Sequence, residues 1–256
     1  MIDQPMQSRR TFVRVALGAL MAPGFLGCAP AVIEPVVGPR LTARPGSPTR
    51  TPIKGAVTAL GLDPFRDGYL YVPESYSADR PMPLFVALHG AGGEGRSWAS
   101  YPDRAEAHGF IVLAPDSRSA TWDLVRGEFG PDVEFLNRAL RHTFEQCRVD
   151  SSRIALGGFS DGASYALSLG VANGDLFTHL VGYSPGFFEA GEPITGRPRI
   201  FLSHGNQDRV LPYAFTNEVL APTLRDAGYD VTFVPFDGDH GVPGEISEAA
   251  LDWFLS

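Results

Sequence analysis

The sequence predicts an α/β domain in which a mostly parallel sheet carries helices on both faces. Three observations lead there. Short apolar runs alternate with longer stretches of helical character from about residue 56 to the end. One of those runs passes into a helical stretch through a glycine-flanked serine, Gly158-Phe159-Ser160-Asp161-Gly162. The composition, 44% hydrophobic and 20% charged over 256 residues, suits one such domain of about 200 residues with a short extension.

The extension comes first. Ser8-Arg9-Arg10-Thr11-Phe12-Val13-Arg14 precedes an apolar stretch, Val15 to Leu26, that is broken by Gly18, Pro23 and Gly24. This is the layout of a twin-arginine export signal, and about a dozen apolar residues fall short of the roughly 20 that a membrane-spanning helix needs. Phe25-Leu26-Gly27-Cys28 resembles a lipoprotein processing site, with Phe25 where leucine is usual, so residues 1–27 are read as the signal and Cys28 as the acylated first residue. The expected location is therefore periplasmic and membrane-anchored. Simple secretion, with Cys28 free or paired to Cys147, is the alternative. Residues 28–55 carry Pro30, Pro35, Pro39, Pro45, Pro48 and Pro52 with few large apolar groups, and read as a tether ahead of a catalytic domain at 56–256.

Within that domain the expected strands are Gly68 to Pro73, Leu84 to Leu88, Phe110 to Ala114, Ile154 to Gly158, Leu180 to Tyr183, Ile200 to Ser203 and Val231 to Phe236. Helices are expected from about Asp132 to Cys147, Gly162 to Ala172, Ala214 to Ala227 and Ile246 to Phe254. Such alternation gives a parallel sheet covered on both sides, with its functional site beyond the carboxyl ends of the strands. Two cysteines can build neither a disulfide framework nor a cysteine-rich zinc site. A formal net charge of −8 sets nucleic acid aside as a partner.

The candidate chemistry lies at those strand ends. Ser160 sits between a strand and a helix, where a sharp turn with flanking glycines makes the side chain stand clear, so it is the candidate nucleophile. A serine hydroxyl needs a base, and in this architecture the chain order runs serine, acid, histidine. Of six histidines only His240 lies beyond the last plausible acid-bearing strand end, and it is the candidate base. Asp208 follows the strand at residues 199–203 through His204-Gly205-Asn206-Gln207 and is the candidate orienting acid. Asp237 and Asp239 compete. Residues so close to His240 would have difficulty meeting its Nδ1 edge while Nε2 faces the serine. Two N–H groups are needed for an oxyanion: Asp161 should supply one and Ala91 the other, with Gly92 as the alternative in His89-Gly90-Ala91-Gly92-Gly93. His89 and His204, each followed by glycine at a strand end, read as structural.

Leu88-His89-Gly90-Ala91-Gly92-Gly93 with Ser97-Trp98, the turn around Ser160, Ser203-His204-Gly205 with Asp208 and Pro212, and Gly238 with His240 together resemble the phospholipase/carboxylesterase family. That family includes acyl-protein thioesterases, and the same motifs are similar to small polyhydroxyalkanoate depolymerase and feruloyl esterase relatives. The resemblance spans about Gly68 to Ser256. It implies an α/β-hydrolase fold, the triad Ser160, Asp208 and His240, an oxyanion loop on His89 to Gly92, and a cofactor-free, metal-free hydrolysis of small ester substrates through an acyl-enzyme. Asp161 stands where glutamine is frequent, Ala163 where a second glycine is common, and Asp239 crowds the base. Thioesters, acyl transfer by the same triad and a non-catalytic binding role stay open. Only about fifteen residues, Ser184 to Pro198, separate two strands where a lid would be inserted, so no lid domain and no activation at an oil–water interface are expected. Trp98, Trp122, Phe187 and Phe188 are candidate walls of an open apolar groove.

Overall fold

The computed structural model describes residues 39–256, in which the apolar runs assemble into one eight-stranded sheet of order β1-β2-β4-β3-β5-β6-β7-β8. The strands are β1 (Val57–Ala59), β2 (Gly68–Tyr71), β3 (Met82–Leu88), β4 (Ile111–Pro115), β5 (Val149–Phe159), β6 (His179–Tyr183), β7 (Arg199–Gly205) and β8 (Val231–Phe236). The pairs β1–β2 and β2–β4 are antiparallel, and every other pair is parallel. All seven expected strands form. β1 was not anticipated, because three mostly exposed residues on a sheet edge carry almost no apolar pattern.

Alternation along each strand splits the core in two. On one face Leu84, Val86, Leu88, Ile154 and Leu156 pack with Phe135, Leu136 and Leu140 of α2 (Pro131–Gln146) and Leu167 of α3 (Asp161–Ala172). On the other, Phe85, Ala87, Val112, Val181 and Phe201 meet α1 (Tyr101–His108) and α5 (Gly244–Leu255) through Tyr101, Ile246, Leu251 and Phe254. Phe85 anchors this second layer, with ring centroids 5.2 Å from Tyr101 and 5.8 Å from Phe254. Its ring occupies the space that a side chain at residue 157 would need: a Cβ built on Gly157 falls 2.5 Å from Phe85 Cζ.

Two helical expectations change. α1 was missed because eight residues with only Tyr101, Pro102 and Ala105 buried give a weak stripe. The helix expected at 214–227 winds as a π turn over Phe215–Leu220 before tightening into α4 (Ala221–Asp226). Pro222 offers no N–H to the carbonyl four residues earlier, so the chain widens there.

The expected export signal and Cys28 lie outside the described residues, whereas much of the expected tether does not. From Pro39 onward that segment is applied to the domain rather than held away from it. Leu41 and Ala43 are buried. Asn173 accepts the Leu41 N–H (2.9 Å) and donates to the Pro39 carbonyl (2.7 Å), while Asn137 Oδ1 accepts the N–H groups of Thr42 and Ala43. Arg40 makes a two-pronged contact with Asp175, which Arg44 also reaches. Proline-rich composition forecast too little burial for folding, but an extended strap needs only two small apolar anchors once the domain supplies polar partners for its backbone. The other expected half of the disulfide alternative, Cys147, is wholly buried, and burial pushes its thiol up to about 12. Among the described residues no helix is long and apolar enough to cross a membrane.

The strap carries a stability prediction. Leu41→Ala should cost about 2–5 kcal/mol, as for other buried leucines, and lower the midpoint of a single urea transition. An unchanged midpoint would show that residues 39–50 lie outside the cooperative unit.

Candidate active site

Ser160 sits between β5 and α3 with φ 55° and ψ −120°, in a region that a residue with a Cβ rarely adopts. The chain bends this sharply because three backbones converge. A Cβ on Gly158 would lie 2.3 Å from the Gly162 backbone, and one on Gly162 would lie 2.3 Å and 2.4 Å from the carbonyl oxygens of Leu88 and His89. Only glycine fits at either position. The Ser160 N–H donates to the Tyr183 carbonyl at 2.9 Å, which ties the turn to the neighbouring strand β6.

Ser160, His240 and Asp208 are brought together from three strand ends. His240 Nε2 lies 3.0 Å from Ser160 Oγ, and His240 Nδ1 lies 2.7 Å from Asp208 Oδ2. Because Nδ1 faces a carboxylate it carries the proton, and Nε2 is left with a lone pair directed at the serine hydroxyl. The Asp208 side chain is fully buried. Burial pushes its carboxyl up, but hydrogen bonds from the Leu211 N–H, His240 and the Val210 N–H outweigh this and hold it below the usual carboxylate range.

The competing carboxylates have other partners. Asp239 forms an ion pair with Arg209 and accepts the His240 backbone N–H at 2.9 Å. Hydrogen bonds from the backbone and side chain of Arg209 hold it at about 2. Asp237 accepts from Gln207 Nε2 at 2.6 Å.

The oxyanion candidates also separate. The Gly92 N–H is committed to the Ala120 carbonyl at 2.6 Å, while Ala91 is exposed on the turn beside Ser160. Asp161 opens α3, where the first N–H groups of a helix have no partner within it and the helix dipole is positive. Its carboxylate accepts from Thr121 Oγ1 at 2.6 Å.

Of the two histidines read as structural, His89 holds the loop. Nδ1 meets the Gly90 carbonyl at 2.7 Å and Nε2 accepts the Ser117 N–H at 3.0 Å, with its ring against Trp122. Burial lowers its pKa, which keeps it neutral. His204, by contrast, reaches the acid itself, with Nε2 3.0 Å from Asp208 Oδ2. Sequence reasoning missed this contact, and its signal was the four-residue spacing from His204 to Asp208 across the turn.

The groove expectation needs correction. Trp122 is fully buried, stacks on Tyr165 at 5.1 Å and gives its Nε1–H to the His89 carbonyl, so it supports the glycine-rich loop after β3 from beneath rather than walling a groove. Phe187 and Phe188 are half-buried against the core, and Ser164 Oγ accepts the Phe187 N–H. Trp98 is itself buried but lines a cavity beside the serine turn, together with Gly90, Tyr101, Arg104, Phe159 and Val242. Among the described residues no group of three or more His, Cys, Asp or Glu side chains could hold a metal ion.

Known proteins bear on this arrangement. The profile of the Phospholipase/Carboxylesterase family matches residues 128–253, a stretch that contains Ser160, Asp208 and His240. Feruloyl esterase B of Thermothelomyces thermophilus is 32% identical over 152 residues, covering 55% of this chain and 47% of that protein. Acetylxylan esterase A of Emericella nidulans is 29% identical over 139 residues, covering 50% and 45%. The chain thus spans about half the length of these curated relatives. Among solved structures, the fluorophosphonate-binding serine hydrolase FphF of Staphylococcus aureus superposes with a TM-score of 0.63 at 14% identity, over 80% of this chain and all of that one. A mostly parallel eight-stranded sheet that turns sharply into a helix after its central strand, and that superposes on a serine hydrolase, identifies the architecture: this chain has the α/β-hydrolase fold.

Proposed function

We propose that this chain hydrolyses carboxylic esters through an acyl-enzyme formed on Ser160. The observation that carries the reading is the continuous relay from Ser160 Oγ through both nitrogens of His240 to the buried Asp208 carboxylate. A serine hydroxyl 3.0 Å from an imidazole lone pair loses its proton as it attacks an acyl carbon. Asp208 then stabilises the imidazolium and keeps the ring in the required tautomer. The oxygen of the tetrahedral intermediate accepts from the N–H groups of Ala91 and Asp161, a role favoured by the commitment of the Gly92 N–H to Ala120 and by the position of Asp161 at the start of α3. His240 returns the proton to the departing alcohol, and the same base activates water to release the acid.

The relatives named for feruloyl and acetylxylan esterase activity favour small or aromatic acyl groups. The cavity beside the serine turn, walled by Trp98, Tyr101, Phe159 and Val242 and carrying Ser97, Ser100, Arg104 and Ser247 as polar lining, is a candidate bed for such a group. The loop from Ser184 to Pro198 contains no helix, which leaves the site open to dissolved substrates. Thioesters would use the same residues. Export to the periplasm and a lipid anchor on Cys28 remain part of this reading, supported by the paired arginines, the apolar stretch and the Leu26-Gly27-Cys28 sequence.

Ser160→Ala should fold normally and lose turnover of p-nitrophenyl acetate by several orders of magnitude, together with labelling by a fluorophosphonate probe. Hydrolysis within about tenfold of wild type would remove Ser160 from the mechanism. Since protonated His240 cannot accept the serine proton, kcat/KM should fall as the medium is made acidic. A rate that stays level from neutral to acid pH argues against a histidine base. Membrane fractions should contain the wild-type protein, and Cys28→Ser should release it or block its maturation. Wild-type protein found wholly in the soluble fraction favours simple secretion instead.

A further inference from the structure

Asp208 is approached by two histidines. Its Oδ1 accepts the N–H groups of Val210 and Leu211, each at 2.8 Å. Its Oδ2 lies 2.7 Å from His240 Nδ1 and 3.0 Å from His204 Nε2. A carboxylate offers about four lone-pair directions, and here Val210, Leu211 and His240 bond to three while His204 Nε2 stands 3.0 Å from Oδ2 and the side chain is shut off from water. Such a count is sensitive to any single loss, because the freed lone pair would be buried with nothing to bond it.

The protonation of His204 follows from its surroundings. Nε2 donates to the Leu211 carbonyl at 3.1 Å and also lies 3.0 Å from Asp208 Oδ2, so the proton resides on Nε2, beside the carboxylate. Nδ1 faces Thr216 Oγ1 at 2.8 Å, and the hydroxyl donates to it. Thr216 is itself buried and stands in the π turn at Phe215–Leu220. Burial lowers the pKa of His204 against the pull of Asp208, so the ring stays neutral and brings a donor without a second positive charge. Tyr213 packs edge-on against the ring at 6.0 Å, and the Arg209–Asp239 ion pair flanks the His240 side.

We propose that His204 is a positioning residue for the triad: its protonated Nε2 edge, tied to the Leu211 carbonyl and 3.0 Å from Asp208 Oδ2, holds Asp208 in the rotamer that meets His240 and tempers how strongly the carboxylate attracts the imidazolium. This rests on the reading of Ser160, His240 and Asp208 given above. A carboxylate relieved of one donor keeps more charge for its remaining partner. Protonation of His240 then competes with attack at higher pH, and the acid limb of the rate profile moves up. The carboxylate is also freer to turn away, which lowers kcat without touching the groups that bind substrate.

The test is a pair of variants followed by pH–rate profiles on p-nitrophenyl acetate. His204→Leu should lower kcat roughly tenfold with KM within about twofold, and shift the acid limb of kcat/KM upward by roughly 0.5–1 pH unit. His204→Gln, whose amide can donate to Asp208, should bring the limb back toward the wild-type position. A folded His204→Leu protein with an unmoved limb and unchanged kcat overturns the proposal. So does a His204→Gln profile as displaced as that of His204→Leu. Where His204→Leu does not fold, Thr216→Val decides. It keeps the imidazole but removes the hydroxyl that polarises it, and must move the limb in the same direction by a smaller amount; a limb matching wild type overturns the inference. Failure of the underlying triad reading looks different, since wild type would then lack an acid limb or Ser160→Ala would remain active.

Discussion

The site depends on one crowded place, where the backbones of β3, β5 and α3 meet around Ser160. Gly158 and Gly162 lie so close to neighbouring carbonyls and backbone atoms that any side chain there would push the sheet and helix apart. Ser160 is thereby forced to positive φ, a conformation that costs of order 1–3 kcal/mol and persists only because the surrounding core over-determines it. That core is large on both faces of the sheet. The strain is useful, since it lifts the hydroxyl out of the turn and places the unpaired N–H of Asp161 beside it.

Around that turn, reactivity is distributed by the pairing of charges rather than by their number. Three aspartates lie near His240, and each is made distinct by its own donors. Arg209 engages Asp239, Gln207 engages Asp237, and Asp208 alone is buried against the imidazole. The same logic divides the glycine-rich loop after β3, in which Ala120 takes up the Gly92 N–H and Trp122 braces the His89 carbonyl from below. The rigidity of this loop thus comes from the segment after β4, which contributes no reacting group.

The N-terminal strap extends the fold beyond the sheet. It crosses α2 and the end of α3 through Asn137, Asn173 and Asp175, three polar residues whose side chains serve the backbone and arginines of a segment more than 90 positions away in sequence. Its prolines suit an extended path and its few apolar groups are all it needs. A segment of this composition is indistinguishable from a linker until its partners are known.

The sequence alone determined the kinds of element, their order and the chemical candidates. Apolar periodicity and turn residues are local, so all seven central and flanking strands, the long helices and the glycine-bracketed Ser160 could be read directly. The order of serine, acid and histidine is the chain order of this architecture, and it served as a filter on the candidates at the strand ends. What remained illegible was every choice that depends on distant residues meeting. Ser160 and His240 are 80 positions apart and Asp208 and His240 are 32 apart, so the contact distances among them, the second histidine beside that acid, the burial of Trp122 and the docking of the strap were decided only by tertiary packing. Hydrogen-bond partners and burial belong to three-dimensional neighbourhoods, and a linear pattern records only which groups are available to fill them.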